Sequence, residues 1–185
     1  MKTLLAIMCL LLAGCTGKPD NITPVDNFNA TKYLGKWYEI ARLDHRFERG
    51  LSNVTAEYST LDGAAIKVLN RGYNAEKKEW KDAEGKAQFV GDPTVGWLKV
   101  SFFGPFYGSY IVFDLDEAYT HSMISGPDKS YLWILSRTPT LDEATKKRLV
   151  DKAQALGYDT AKLIHVAQDQ QPQQPQQQQQ QQPSR

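Results

Sequence analysis

Cysteine is almost missing. The 185 residues include two, Cys9 and Cys15, both within the first fifteen. Any fold built from residue 16 onward therefore stands without an intramolecular disulfide and has no thiol for nucleophilic catalysis. Histidine is as scarce. His45, His121 and His165 lie too far apart in sequence to form a metal-ligating set of short spacing. Long apolar runs are missing too; the longest, Leu4 to Leu12, is too short to cross a bilayer as a helix. Charge of one sign is not in excess, since 22 Lys and Arg face 21 Asp and Glu with both signs interspersed. That balance predicts no nucleic-acid or acidic partner. The chain has no phosphate loop, no Gly-x-Ser-x-Gly elbow and no pair of carboxylates at a catalytic spacing. These absences argue against an enzyme and predict neither a cofactor nor a metal.

What is present is a core. Hydrophobic residues make up 41% and aromatics 11% of the chain, enough for one domain. Between Leu34 and Arg137 apolar and polar residues alternate in short runs separated by turn residues such as Asp62-Gly63, Gly91-Asp92-Pro93 and Gly126-Pro127-Asp128. Alternation with short connections predicts eight antiparallel strands joined by hairpins, a barrel or a sandwich. Closure into an eight-stranded up-and-down barrel removes exposed edges and leaves an interior that holds side chains or one small ligand. Thr140-Leu141-Asp142-Glu143 then reads as a capping box. It opens an amphipathic helix with Leu141, Thr145, Leu149, Ala153 and Leu156 on one face, stopped at Gly157. The basic run Lys146, Lys147 and Arg148 is expected on the solvated face. Lys162 to Val166 is a further short strand.

The ends read differently. Residues 1–14 carry a basic Lys2 and the short apolar run of a signal peptide. Leu12-Ala13-Gly14-Cys15 resembles the bacterial lipobox, at which cleavage leaves a lipid-modified Cys15. Removal of 1–14 takes Lys2 and no acid, so 22 bases fall to 21 against 21 acids. Residues 15–28 are polar, contain Pro19 and Pro24, and are expected to be the lipidated Cys and a tether. The domain is expected over 29–167. Residues 168–185, nearly all Gln and Pro, are expected to be disordered.

Strand alternation gives the expected lining of the barrel. Val54, Ala56 and Tyr58 come from one strand, Ile66, Val68 and Asn70 from the next, and Phe89 from a third. Leu98, Val100 and Phe102 follow, then Tyr110 and Val112, His121 and Met123, and finally Tyr131, Trp133 and Leu135. An apolar lining with sparse polar groups is the composition of a small-molecule pocket. A solid core filled by the same residues is the competing reading, and would make the barrel a structural body. Glu39 shares the face of Trp37 and is expected to point inward, where a carboxylate needs partners. Gly35 precedes a first strand that begins Trp37-Tyr38, and Ser136-Arg137 ends the last. Where the barrel closes, the Arg137 guanidinium and the Trp37 indole can stack.

Four runs carry a family resemblance. They are Gly35-Lys36-Trp37-Tyr38-Glu39-Ile40-Ala41-Arg42, Asp44-His45-Arg46-Phe47-Glu48-Arg49-Gly50, the segment from Lys99 to Gly108, and the segment from Tyr131 to Pro139. Over roughly residues 28–167 the chain resembles the lipocalins, and among them the bacterial lipoproteins related to apolipoprotein D. The middle family motif departs from the usual Thr-Asp-Tyr and reads Glu117-Ala118-Tyr119. The resemblance implies a non-enzymatic carrier of fatty acids or lysophospholipids, anchored through Cys15 to the periplasmic side of the outer membrane. It also implies that Gly35, Trp37 and Arg137 form a structural floor. Phe47 would then act as a lid, with Arg46 or Arg49 available to a phosphate. A homodimer is compatible with the sequence, and a lipid-modifying enzyme is the remoter alternative.

Overall fold

The computed structural model describes residues 16–62 and 65–170. The signal peptide, Cys15, the Gly63 of the expected turn and the tail from 171 lie outside the described residues. Strands β1 (Gly35–Arg42), β2 (Leu51–Thr60), β3 (Ile66–Asn74), β4 (Glu79–Phe89), β5 (Trp97–Phe103), β6 (Phe106–Leu115), β7 (His121–Ser125) and β8 (Leu132–Ser136) each pair antiparallel with the next. β8 pairs with β1 and β1 with β2, which closes the expected eight-stranded up-and-down barrel. A two-residue β9 (Ile164–His165) adds to β1. Up-and-down order puts alternate connections at the same end. The β1–β2 loop and the β3–β4, β5–β6 and β7–β8 turns share one end. Helix α1 (Ala30–Tyr33) and the β2–β3, β4–β5 and β6–β7 connections share the other.

Two apolar clusters divide the core. Inside the barrel, Trp37, Tyr58, Ile66, Val68, Ala87, Leu98, Val112, Ile124 and Leu135 pack with Phe28 and Tyr33. Outside it, Ile40, Ala41, Leu43, Ile111, Phe113, Met123, Leu132 and Ile134 pack against Leu149 and Ala153 of helix α2 (Glu143–Ala155). Bulges route the chain between the two. The β1–β8 register shifts between Glu39 and Ala41, so Ile40 and Ala41 both face the helix and Arg42 turns back inside. The β6–β7 register shifts between Val112 and Asp114. This pairs inward Val112 with Ile124 and outward Asp114 with Met123.

The expected inward positions of His121 and Met123 are therefore corrected. Met123 is fully buried beneath the helix, and His121 Nε2 lies 2.7 Å from an Arg148 nitrogen on α2. Alternation within β7 is as expected, but Ser122 and Ile124 occupy its inner face. Asp142, not Thr140, caps α2, its carboxylate accepting from Thr145 N–H at 2.9 Å. The Thr140 carbonyl is taken instead by the Thr138 hydroxyl at 2.6 Å. Arg148 leaves the expected solvated face and joins Lys152 on Asp114, at 3.3 and 2.6 Å.

The ends are also more ordered than expected. Residues 16–28 are not a free tether. Ile22 is fully buried in the outer cluster and Phe28 packs inside the barrel. Val25 N–H donates to the Val112 carbonyl at 2.8 Å and Ser109 Oγ donates to the Gly17 carbonyl at 2.6 Å. The apolar residues are three in a polar stretch, Ile22, Val25 and Phe28, too few to give a period, yet each finds a site. At the other terminus Gln168 Nε2 donates to the Glu39 and Val54 carbonyls at 2.9 and 2.8 Å. It fills the gap where β1 and β2 diverge, so residues 168–170 continue the domain.

Candidate binding site in the barrel interior

The closed end is a plug of aromatics. Trp37 is fully buried; its Nε1 donates to the Tyr33 carbonyl at 2.8 Å. Arg137 lies over its ring, 4.0 Å from the centroid. The guanidinium also donates to the carbonyls of Tyr119, Lys36 and Lys32, at 3.2, 2.9 and 2.8 Å. One side chain thus ties β8, β1, α1 and the β6–β7 turn together. Gly35 takes a φ of +91°, and a Cβ there would stand 3.4 Å from an Arg137 nitrogen. Left-handed backbone beside a guanidinium is a place for glycine. Tyr119 is the residue of the degenerate motif that does the work, through its carbonyl and through a hydroxyl that accepts Asn29 N–H at 2.8 Å. Above the plug, the Tyr110 hydroxyl meets those of Tyr33 and Tyr58, each at 2.8 Å. Burial pushes the Tyr33 phenol up to about 12 and the other two well above their usual value, so all three stay neutral.

The walls open upward. On β5 the inward Leu98 is buried while Val100 and Phe102, nearer the other end, are half-buried. The same step runs from Val68 to Asn70 on β3, from Tyr58 to Ala56 on β2, from Val112 to Tyr110 on β6 and from Leu135 to Trp133 on β8. Apolar side chains that point inward yet keep exposure line a cup at this end. Asn70 Oδ1, on this inward face, is buried and has no hydrogen-bond partner among the described residues.

At the mouth the chain gathers charge inside the barrel. Arg42 Nη1 meets Glu39 Oε1 at 2.6 Å, with both side chains almost fully buried. Arg42 Nη2 donates to the carbonyls of Glu48 and Leu51, at 2.8 and 3.0 Å, and so pins the first loop. Glu48 accepts from Trp133 Nε1 at 3.0 Å and lies 3.1 Å from His45 Nε2, off the line of a good hydrogen bond. Glu39 and Glu48 share a hydrogen bond. Burial, and then the Glu48 charge, hold the Glu39 carboxyl well above its usual value, more than Arg42 can offset. Burial pushes Glu48 up as well, but His45, Trp133 and the Glu39 proton bring it below. The two carboxyls titrate as a pair, with Glu39 held above and Glu48 below the usual carboxylate range.

Most of the expected lining is brought together. Ala56, Tyr58, Ile66, Val68, Phe89, Leu98, Val100, Phe102, Tyr110, Val112, Trp133 and Leu135 belong to the inner cluster. Val54 is buried beside Gly72, and Tyr131 stacks on Trp133 at the mouth. Phe47 stands 59% exposed at the rim, against the His45 ring. Arg49 is held by Asp44 at 2.7 Å, and Arg46 lies over Phe47. The paired carboxylates that sequence spacing did not suggest are Glu39 and Glu48. Alternation signalled Glu39, but Arg42 is turned inward only by the bulge and Glu48 only by the loop.

A barrel of eight antiparallel strands, plugged at one end by a Trp–Arg stack and open at the other into an apolar cup, defines the lipocalin class. Residues 28–168 match the lipocalin-like domain family, and the chain belongs to it. The outer membrane lipoprotein Blc of Vibrio cholerae serotype O1 is 55% identical, covering 91% of this chain and 99% of that protein. The outer membrane lipoprotein Blc of Escherichia coli strain K12 is 51% identical over 88% of this chain and 93% of its own. Among solved structures, insecticyanin from the tobacco hornworm Manduca sexta superposes with a TM-score of 0.64. It is 25% identical, over 81% of this chain and 86% of its own.

Proposed function

We propose that the protein binds single-chain amphiphiles, lysophospholipids or fatty acids, in the barrel cup. It would store or carry them on the periplasmic side of the outer membrane, where the acyl chains of Cys15 hold it. The observation that carries the reading is the gradient of exposure along the inward faces, from buried Leu98 and Val112 to half-exposed Val100, Phe102 and Trp133. A saturated chain of about sixteen carbons buried there gains about 12 kcal/mol gross, at about 0.8 kcal/mol per methylene. Association costs of several kcal/mol leave micromolar or tighter affinity. Asn70 Oδ1 is an unused acceptor for a headgroup hydroxyl. The likeness to outer membrane lipoproteins supports the anchor and the compartment. The Glu39–Glu48 pair is consumed by Arg42, Trp133 and the loop carbonyls, which suits a structural clasp better than acid–base catalysis.

The test is a titration of the protein with a lysophospholipid, followed by tryptophan fluorescence. Trp133→Ala removes one of the largest apolar surfaces of the cup and is expected to weaken binding about tenfold, the equivalent of about 1.4 kcal/mol. Trp97, which packs against the outer cluster, supplies the control as Trp97→Phe. Equal affinity in wild type and Trp133→Ala would mean that lipid binds elsewhere.

A further inference from the structure

Five large apolar side chains stand exposed among the described residues, and three of them are phenylalanines at the open end. Phe103 and Phe106, 75% and 68% exposed, form the tip of the β5–β6 hairpin, and Phe47 stands on the first loop. Beside that tip, Lys99 and Lys86 lie 5.0 and 6.0 Å from the ring of Tyr107. Aromatic tips flanked by lysine and tyrosine suit the boundary between lipid headgroups and acyl chains.

The amino-terminal segment fixes which end faces the lipid. It runs back from the closed end, where Phe28 N–H donates to the Thr94 carbonyl at 2.7 Å. Along the way it is clamped by buried Ile22 and by Asn21 on the Leu156 carbonyl. At Gly17 it is held by the outward hydroxyl of Ser109. Ser109 lies three residues from Phe106 on the same strand, about 10 Å at 3.3 Å per residue. Cys15 follows Gly17 toward the amino terminus by two residues, about 7 Å of chain at most. A free tether would leave the barrel's orientation open; this clamped one does not.

We propose that the open end of the barrel docks on the bilayer to which Cys15 is tied. Phe103, Phe106 and Phe47 enter the headgroup boundary, and Lys86 and Lys99 meet anionic headgroups. The cup then opens onto the leaflet, and a lipid passes between them without crossing water. The inference rests on the acylation of Cys15 proposed above and not on what fills the cup.

The test uses the full acylated chain in vesicles of phosphatidylethanolamine and phosphatidylglycerol. A fluorophore is placed at Phe106→Cys, at Phe103→Cys as a second site, and at Glu117→Cys in the β6–β7 turn of the closed end. Lipids brominated in the acyl chain are expected to quench the two hairpin labels at least threefold more than the Glu117 label, with aqueous iodide giving the reverse order. Equal quenching of all three by iodide would overturn the docking. Hairpin labels shielded from iodide but untouched by brominated lipid would also overturn it, and would point to a second copy covering the mouth. Intact mass separates the two readings. An unacylated chain removes the anchor and the orientation together, whereas an acylated chain with water-exposed hairpin labels removes the orientation alone.

Discussion

Glu39 and Arg42 are buried to 2% and 1% exposure, and neither could be there alone. A lone charge in that site would cost several kcal/mol, and the pair is tolerated because Glu39 meets Arg42 Nη1 and two loop carbonyls accept from its Nη2. Glu39 holds its proton more tightly folded than unfolded, since burial and then Glu48 raise it from the usual 4.5. Between those two values the folded state binds the extra proton, so stability is lost as pH rises above about 4.5. Glu39→Gln keeps the amide as a donor to Glu48 and an acceptor from Arg42. Its Tm is expected to stay flatter between pH 5 and 8 than that of wild type. Parallel Tm profiles would mean that Glu39 is ionised throughout. At the floor, Arg137→Ala removes the stack on Trp37 and three bonds to carbonyls. The expected loss is about 1–3 kcal/mol in chemical denaturation, with lipid selectivity retained. A barrel of unchanged stability would show that Tyr33 and Trp37 hold the floor without it.

At the scale of elements, helix α2 is joined to the barrel by apolar packing and by one electrostatic clasp. Asp114 receives Lys152 at 2.6 Å and Arg148 at 3.3 Å. Partial burial pushes its carboxyl up, and the two cations outweigh this and hold it below the usual 3.8. The contribution is therefore present at neutral pH and lost as pH falls through that lowered value. Asp114→Asn is expected to cost about 1–2 kcal/mol at pH 7, a figure discounted because both cations are half in solvent. Urea titrations of the two proteins should converge as pH falls below that lowered value; a gap that persists there would assign the loss to packing. The clasp also explains the misplacement of His121 and Met123. β7 carries Met123 on one face and Ile124 on the other, and the period alone does not say which face the barrel encloses. A helix from thirty residues downstream covers the outer face and makes both apolar.

At the scale of the molecule, membrane attachment and the barrel are expected to be separable. Cys15→Ser removes the proposed site of acylation while Thr16 to Phe28 are expected to keep their contacts. The variant is expected in the soluble periplasmic fraction with the Tm of the acylated chain in detergent. A variant that still pellets with outer membranes would place the anchor elsewhere. The barrel itself was legible because local rules suffice for it. Apolar alternation between turn residues gives strands, short connections give hairpins, and eight strands give a closed sheet whose floor Trp37 and Arg137 share.

What the sequence determined by itself is whatever depends on neighbours close along the chain: the strands of the barrel, the Gly35 turn, the helix and its stop, and the short apolar run before Cys15. The tertiary structure decided what depends on partners far apart. One extra residue at each of two bulges reverses which side chains enter the barrel. That shift turned Arg42 in and Met123 out, and the first loop brought Glu48 to Glu39. Chain outside the regular elements found its place only against the finished barrel, as Ile22 did under α2, Gly17 on Ser109 and Gln168 between β1 and β2. A single buried side chain or one hydrogen bond has no period to read, and its energy exists only once the surface that receives it has formed.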